Sequence, residues 1–174
     1  MVYFVCYIRI VTDYADKPMS FLIKPIKRKA DRQRICGEIL RALPEWFGIE
    51  QAVKDYIANV QAMPMFAYFN DGKPAGFVAI RSHGRFSAEI YVMGVLAGLQ
   101  GKGIGRQLVK HAERYLKDKG IRFLQVKTLS AARRCRKYER TRKFYLSLGF
   151  VPLEEFTTVW GKENPCLLLI KSIS

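Results

Sequence analysis

The sequence predicts an α/β fold of the α+β type, in which helices flank a mixed, mostly antiparallel central sheet. Two observations lead to this prediction. An Asn-Asp-Gly-Lys turn at residues 70–73 joins β-rich runs at residues 65–69 and 74–81, which is a hairpin signal. Farther along, an apolar strand beginning at Glu89, an amphipathic helix and a strand at residues 123–129 follow one another. Such strand–helix–strand units usually make right-handed parallel crossovers.

The length of 174 residues suits one domain with a buried core. We expect residues 19–174 to form that domain and residues 1–18 to form an N-terminal extension. Residues 1–11 are apolar, but they are too few to cross a bilayer and lack the basic start of a signal peptide. No membrane partner is therefore expected.

Apolar spacing and end signals place the other elements. The first two helices are expected at residues 31–43 and 49–63, because Pro44 and Pro64 stop them. They follow a first strand at residues 19–25. A basic helix at residues 139–148 and closing strands at residues 150–158 and 166–172 complete the predicted order.

The chain is strongly basic, with 30 Lys and Arg residues against 15 Asp and Glu residues and a formal net charge of +15. This excess indicates a basic surface, a polyanionic cofactor or a nucleic-acid partner. The four cysteines contain no C-x-x-C pair, so neither a zinc site nor a disulfide framework is expected. Reduced thiols favour a cytoplasmic location, and no metal is predicted.

A glycine-rich loop follows the strand that begins at Glu89 and precedes the amphipathic helix. Its glycines stand at positions 98, 101, 103 and 105. Glycine permits positive φ and close approach of another molecule, while the first N–H groups of a helix lack intrahelical acceptors. Together with the helix dipole they favour a phosphate. The G-x-G-x-x-G and G-x-x-x-x-G-K-[ST] patterns are both absent.

Two motifs carry a family resemblance. Gln100-x-x-Gly103-x-Gly105 resembles the [Q/R]-x-x-G-x-[G/A] loop of the GNAT superfamily of acyl-CoA-dependent N-acetyltransferases, and residues 138–150 resemble its N-x-x-[A/S]-x-x-F-Y-x-x-x-G-F segment. The resemblance implies the GNAT fold and acetyl-CoA as cosubstrate. The cofactor-binding residues expected on this basis are Met93, Gly94, Val95, Gln100, Gly101, Lys102, Gly103, Ile104, Gly105, Arg106 and Tyr138.

Acetyl transfer to an amine needs a base for the amine proton, donors for the oxyanion and an acid near the departing thiolate. Glu89 is the candidate base, because some histone-modifying members place their catalytic glutamate at this distance from the loop. The alternative is a solvated glutamate at a strand end. Tyr145, the tyrosine of the Phe-Tyr pair, is the candidate acid, and the alternative is a core tyrosine.

Backbone groups near Gly94 are the expected oxyanion donors. A glycine inside a strand commonly marks a bulge or a close backbone approach. Tyr138 departs from the family asparagine, which puts one hydrogen bond to the cofactor in doubt.

The acceptor walls are less defined. The resemblance implies that Trp46 and Phe47 border the acceptor, although both equally suit a role as caps on the core. Glu154 and Glu155 are rival bases, or residues that attract a cationic amine.

The functional prediction is an N-acetyltransferase that acts on a primary amine of a small molecule or a protein, as a monomer or homodimer. Two alternatives stay open. One is a nucleic-acid-binding module that uses the basic run at residues 133–143. The other is a non-catalytic acyl-CoA sensor on the same fold.

Overall fold

The computed structural model describes residues 22–173. The expected extension at residues 1–18, and the first three residues of the expected first strand, lie outside this range. The strands are β1 (Leu22–Pro25), β2 (Met65–Asn70), β3 (Lys73–Ser82), β4 (Ser87–Val95), β5 (Phe123–Leu129), β6 (Val151–Phe156) and β7 (Cys166–Ser172). The helices are α1 (Lys29–Arg41), α2 (Glu50–Val60), α3 (Ile104–Lys117) and α4 (Arg136–Ser147), with a 3₁₀ turn at Ala97–Leu99.

The seven strands form one sheet in the order β1-β2-β3-β4-β5-β7-β6. Every neighbouring pair is antiparallel except β4 and β5, which are parallel because α3 connects them by a crossover. The predicted mixed, mostly antiparallel sheet is therefore confirmed. The helices of the described part of the chain include none that is both long and apolar enough to cross a membrane.

Each face of the sheet carries its own core. On one face, α3 packs through an apolar stripe of helical period, α4 adds Tyr145, and the C-cap of α4 adds Leu148. On the other face, α1 and α2 pack over β2, β3 and β4 through Ile39, Leu40 and Val53. The sheet is thus buried from both sides, and strand alternation assigns each side chain of β4 to one face.

The predicted and observed element ends differ by three residues at the end of α2, which stops at Val60, and at the start of α4. This helix begins at Arg136, three residues before the expected position 139, since Cys135 supplies the extended N-cap. In the structure, Tyr138 lies within the first turns of the helix and anchors it by a hydrogen bond to the Trp46 carbonyl.

Strands β4 and β5 part in the middle of the sheet. They pair only from Ser87↔Phe123 to Ile90↔Val126. The register between β3 and β4 shifts at the same point, where Ala79 pairs with Val92 and Ile80 pairs with Ile90, so that Tyr91 is the extra residue of a bulge. Because a bulge bends its strand, β4 turns away from β5 and the sheet opens.

Candidate active site

A cleft of about 730 Å³ occupies the opening between β4 and β5. Its walls come from β4, β5, the start of α3, the cleft-facing side of α4 and the loop after α1. The cleft therefore reaches both faces of the sheet. One end lies beside α3 and α4, and the other lies beside Trp46, Phe47 and Tyr56, which pack with the core of α1 and α2.

The glycine loop presents free amides at the first end. Gly101 and Gly103 have φ of 78° and 80°, which is the left-handed region that favours glycine. Gly103 is the N-cap of α3 and makes no side-chain capping bond. Within residues 22–173, the backbone N–H groups of residues 101–106 find no backbone or side-chain acceptor. Six unpaired amides at a helix start form a site for an anion.

Backbone groups of β4 also face the opening. Leu96 N donates to Ala75 O at 3.0 Å across the β3–β4 pair. Since N–H groups alternate along a strand, Gly94 points its amide toward β3, whereas Met93 and Val95 point theirs toward the side that β5 has left. The amides of Met93 and Val95 are thus directed at the cleft.

Gly94 serves packing rather than the bulge, which lies three residues earlier at Tyr91. A Cβ on Gly94 would lie 3.0 Å from Ile39 Cγ2 and 3.1 Å from Leu43 Cδ1. The close approach of α1 to the sheet therefore depends on this glycine.

We expect Gly94→Ala to lower the free energy of unfolding by about 1–3 kcal/mol, the usual cost of overpacking a core. Gly98→Ala is the matched control, because a Cβ there meets no atom within 4 Å. Urea unfolding of both variants measures the difference. Equal stability of the two variants would contradict the tight contact between α1 and β4.

Some of the other residues of the glycine-loop motif line the cleft, and others hold the loop in place. Gln100 lines the cleft, and its Nε2 donates to Val95 O at 3.0 Å, which ties the loop to β4. Arg106 lines it as well, and its guanidinium donates to Ser147 Oγ at 3.1 Å. Ile104 is buried under the loop. Lys102 is exposed at the loop tip and does not line the cleft.

A fully buried hydroxyl lies in the wall of the cleft at Thr128. Its Oγ1 has no hydrogen-bond partner among residues 22–173. An unpaired buried hydroxyl is costly unless a ligand or water completes it. Together with the six free amides of the loop, it fits a ligand that carries both phosphates and amide groups, as coenzyme A does.

Glu89 is buried but faces the cleft. Its side chain is 6% exposed. Lys127 Nζ donates to Oε1 at 2.9 Å, and His83 Nε2 lies 2.6 Å from Oε2. The solvated-strand-end alternative does not describe this carboxylate. Each carboxylate oxygen can accept more than one hydrogen bond, so an amine that enters the cleft could still bond to Glu89.

Tyr145 is buried between Phe144 and Phe150, with ring centroids 5.1 and 5.5 Å away in edge-to-face geometry. It lines the cleft, and its hydroxyl makes no hydrogen bond with the described residues. Burial raises the pKa of the Tyr145 phenol well above its ordinary value. The hydroxyl is therefore protonated at neutral pH. Tyr145 belongs to the core and also contacts the cleft.

Helix α4 holds the loop that follows α1. Tyr138 donates its hydroxyl to Trp46 O at 3.1 Å, and Trp46 Nε1 donates to Thr141 Oγ1 at 3.2 Å. Burial raises the pKa of Tyr138. Lys137 pairs with Glu45 in the same region. The residue that replaces the family asparagine thus bonds to the protein itself, in a position where it fixes Trp46.

The acidic candidates on β6 lie elsewhere. Glu154 is exposed on the edge strand β6, where the register shifts between Pro152 and Glu154, and it does not line the cleft. Glu155 accepts a hydrogen bond from Ser130. The expected role of Glu154 toward the acceptor stays a prediction.

Sequence reasoning did not name several residues that line the cleft, among them Tyr56, Arg81, Tyr91, Lys127 and Thr128. Strand alternation was the available signal for two of them. Arg81 pairs directly with Glu89 across β3 and β4, and Lys127 lies two residues beyond Gln125, which pairs with Glu89. Burial raises the pKa of Tyr56 to about 12.

Comparison with known proteins agrees with this geometry. The model of the acetyltransferase (GNAT) family matches residues 33–150, more than half of the chain. The protein therefore belongs to this family and is a GNAT-type acetyltransferase. A comparison with curated protein sequences finds no significant match.

Solved structures share the fold. An aminoglycoside 6′-N-acetyltransferase complexed with coenzyme A is 17% identical, with a TM-score of 0.70 over 88% of this chain and 97% of that one. The aminoglycoside 6′-N-acetyltransferase from Enterococcus faecium is 18% identical, with a TM-score of 0.69 over 88% and 97%. The ribosomal-protein-S18-alanine N-acetyltransferase from Escherichia coli is 17% identical, with a TM-score of 0.67 over 88% and 95%.

Proposed function

We propose that this protein transfers an acetyl group from acetyl-CoA to the primary amine of an acceptor by direct attack. The observation that carries the proposal is the run of unpaired amides at residues 101–106, at the mouth of a cleft that crosses the sheet. Acetyl-CoA supplies the acetyl thioester. No group of metal-ligating side chains occurs in the part of the chain that the structure describes, and the proposal needs none.

The amides of the glycine loop would bind the diphosphate, and the arm would follow the unpaired edge of β4. There, the amides of Met93 and Val95 can donate to carbonyl oxygens, and Thr128 Oγ1 can gain its missing partner from an amide of the ligand. These contacts direct the acetyl group toward the opposite end of the cleft. The acceptor would enter there, beside Trp46, Phe47 and Tyr56.

Glu89 would receive the proton of the attacking amine, either directly or through water. Lys127 and His83 hold its carboxylate in place. Tyr145 would donate a hydrogen bond toward the leaving sulfur from the α4 side. Because burial raises its pKa, Tyr145 is a neutral phenol that can donate to the charge developing on sulfur and act as the general acid for the departing thiolate.

The described cysteines are free thiols, which supports a reducing compartment such as the cytoplasm as part of the proposal. The primary test is incubation with acetyl-CoA and a panel of amines, with free thiol as the product that is measured. Calorimetry with coenzyme A tests cofactor binding separately. Absence of both signals would contradict the proposed function.

Gly103→Val is expected to weaken coenzyme A binding by about tenfold or more. A β-branched residue strongly disfavours the left-handed conformation, so the loop would turn its amides away from the phosphate site. Calorimetry measures the dissociation constant.

The matched control is Gly72→Val in the β2–β3 turn. Gly72 has φ of 78°, and a Cβ at either glycine meets no atom within 4 Å. Both variants should lose similar stability, but only Gly103→Val should lose affinity. Equal affinity of the two variants for coenzyme A would show that the loop does not bind the phosphates.

A further inference from the structure

The proposed acceptor end of the cleft carries more positive than negative charge. Among the lining residues, Glu89 is the one carboxylate, and Lys127 offsets its charge at 2.9 Å. Arg81 adds a further positive charge in the same region. An acceptor that carried several positive charges would meet net repulsion there.

Arg81 is held in place, and no acidic side chain among residues 22–173 forms an ion pair with it. Its guanidinium lies 3.8 Å from the centre of the Tyr91 ring, a close cation–π contact. Tyr91 is itself fixed, since Asn59 Nδ2 donates to its hydroxyl at 3.1 Å and the Tyr56 ring packs at 5.3 Å. Within residues 22–173, the guanidinium N–H groups donate to no side-chain or backbone acceptor.

A stacked guanidinium with its fork of donors unused suits a carboxylate, which it can bind through two parallel hydrogen bonds. The position also suits this role. Arg81 and Glu89 are directly paired across β3 and β4, so their Cβ atoms are neighbours on one face of the sheet. A carboxylate bound by Arg81 and an amine beside Glu89 would therefore be close enough to belong to the same small molecule.

The rest of the acceptor end is flat and aromatic. Trp46, Phe47, Tyr56 and Tyr91 line it, and Phe47 packs edge-to-face on Tyr56 with ring centroids 5.9 Å apart. Such walls favour a planar apolar body between the charged groups of a ligand.

We propose that the acceptor is a small amine that carries a carboxylate and a flat apolar body, and that Arg81 selects it by binding the carboxylate. This inference rests on the proposed function. It assigns Arg81 to substrate specificity and excludes polycationic amines as preferred acceptors.

The test compares matched amines that differ by one carboxylate. The pairs are L-phenylalanine with 2-phenylethylamine and 4-(aminomethyl)benzoate with benzylamine, and spermidine serves as the polycation. Thiol release gives kcat/KM for each amine. Calorimetry with the acetylated form of each carboxylate amine, in the presence of coenzyme A, gives a binding readout that does not depend on turnover.

We expect at least one carboxylate amine to exceed its neutral counterpart by roughly 10- to 100-fold, as charge-assisted hydrogen bonds allow. Arg81→Gln should remove this preference, so that each carboxylate amine falls to the level of its neutral counterpart, and Arg81→Lys should retain part of it. The control is Arg85→Gln, which removes the same charge from a residue outside the cleft that stacks on Phe86.

The proposal is overturned if spermidine or the neutral amines match the carboxylate amines, or if the preference survives in Arg81→Gln. It is also overturned if no acetylated carboxylate binds the CoA-loaded protein. Binding of coenzyme A, together with release of its thiol from acetyl-CoA when any other amine is the acceptor, would leave the proposed function intact in each case.

Discussion

Glu89→Gln is expected to lower kcat about 100-fold or more, with the affinity for coenzyme A unchanged. Glutamine keeps the shape of the side chain but cannot accept the proton of the amine, and positioned bases contribute roughly 10²- to 10⁴-fold. Single-turnover thiol release measures the chemical step, and calorimetry measures cofactor binding. Both measurements are needed because the substitution also removes the ion pair between Glu89 and Lys127, and this loss could disturb the cleft without affecting proton transfer.

A matched variant separates catalysis from stability. Glu113 pairs with Lys171 at 2.6 Å, both side chains are partly buried, and neither lines the cleft. Glu113→Gln should therefore reduce stability by an amount comparable to Glu89→Gln, since each leaves a partly buried ammonium without its partner. Its kcat should stay at the wild-type value. If Glu89→Gln retained kcat within a few-fold, Glu89 would be a structural residue and another base would be needed.

Tyr145→Phe is expected to lower kcat by about 10²-fold, with little change in coenzyme A affinity. The ring stays packed between Phe144 and Phe150, so the variant removes the hydroxyl and little else. A donor present only as charge develops on sulfur affects kcat more than KM. The burial that raises the pKa of Tyr145 also shields the hydroxyl from water, which strengthens the hydrogen bond that it can make.

Tyr115→Phe is the control for this substitution. Tyr115 packs on Phe66 from α3 and does not line the cleft, so its hydroxyl has no route to a ligand there. The same measurements on both variants decide the role of Tyr145. If kcat of Tyr145→Phe equalled the wild-type value, Tyr145 would have only a packing role in the core. This result would favour the alternative of a protein that binds acyl-CoA without turnover.

The sequence predicted the features that local signals encode. The turn at residues 70–73 predicted the positions of β2 and β3. The order of strand, glycine loop and helix around Gly103 predicted a binding loop, and this loop lines the cleft. The family resemblance predicted the family and fold, which are confirmed. The roles of Glu89 and Tyr145 stay predictions, although both residues line the same cleft.

The features that were not predicted depend on pairing between distant segments. The extra residue of the β4 bulge is Tyr91, which only the register against β3 reveals. Lys127 reaches Glu89 from a strand 38 residues away, and Tyr138 reaches Trp46 across 92 residues. No local pattern marks such contacts, because hydrogen bonds of this kind form only after the sheet and the helices have packed.

Helix α4 is shared by both ends of the cleft. Tyr138 and Thr141 hold Trp46 at one end, while Phe144 packs 3.1 Å from the position of a Cβ on Gly105 at the other. A substitution in this helix therefore affects both ends of the cleft at once. Changes in residues of β3 and α2, such as Arg81 and Tyr56, would instead alter the aromatic end of the cleft and leave the glycine-loop end untouched.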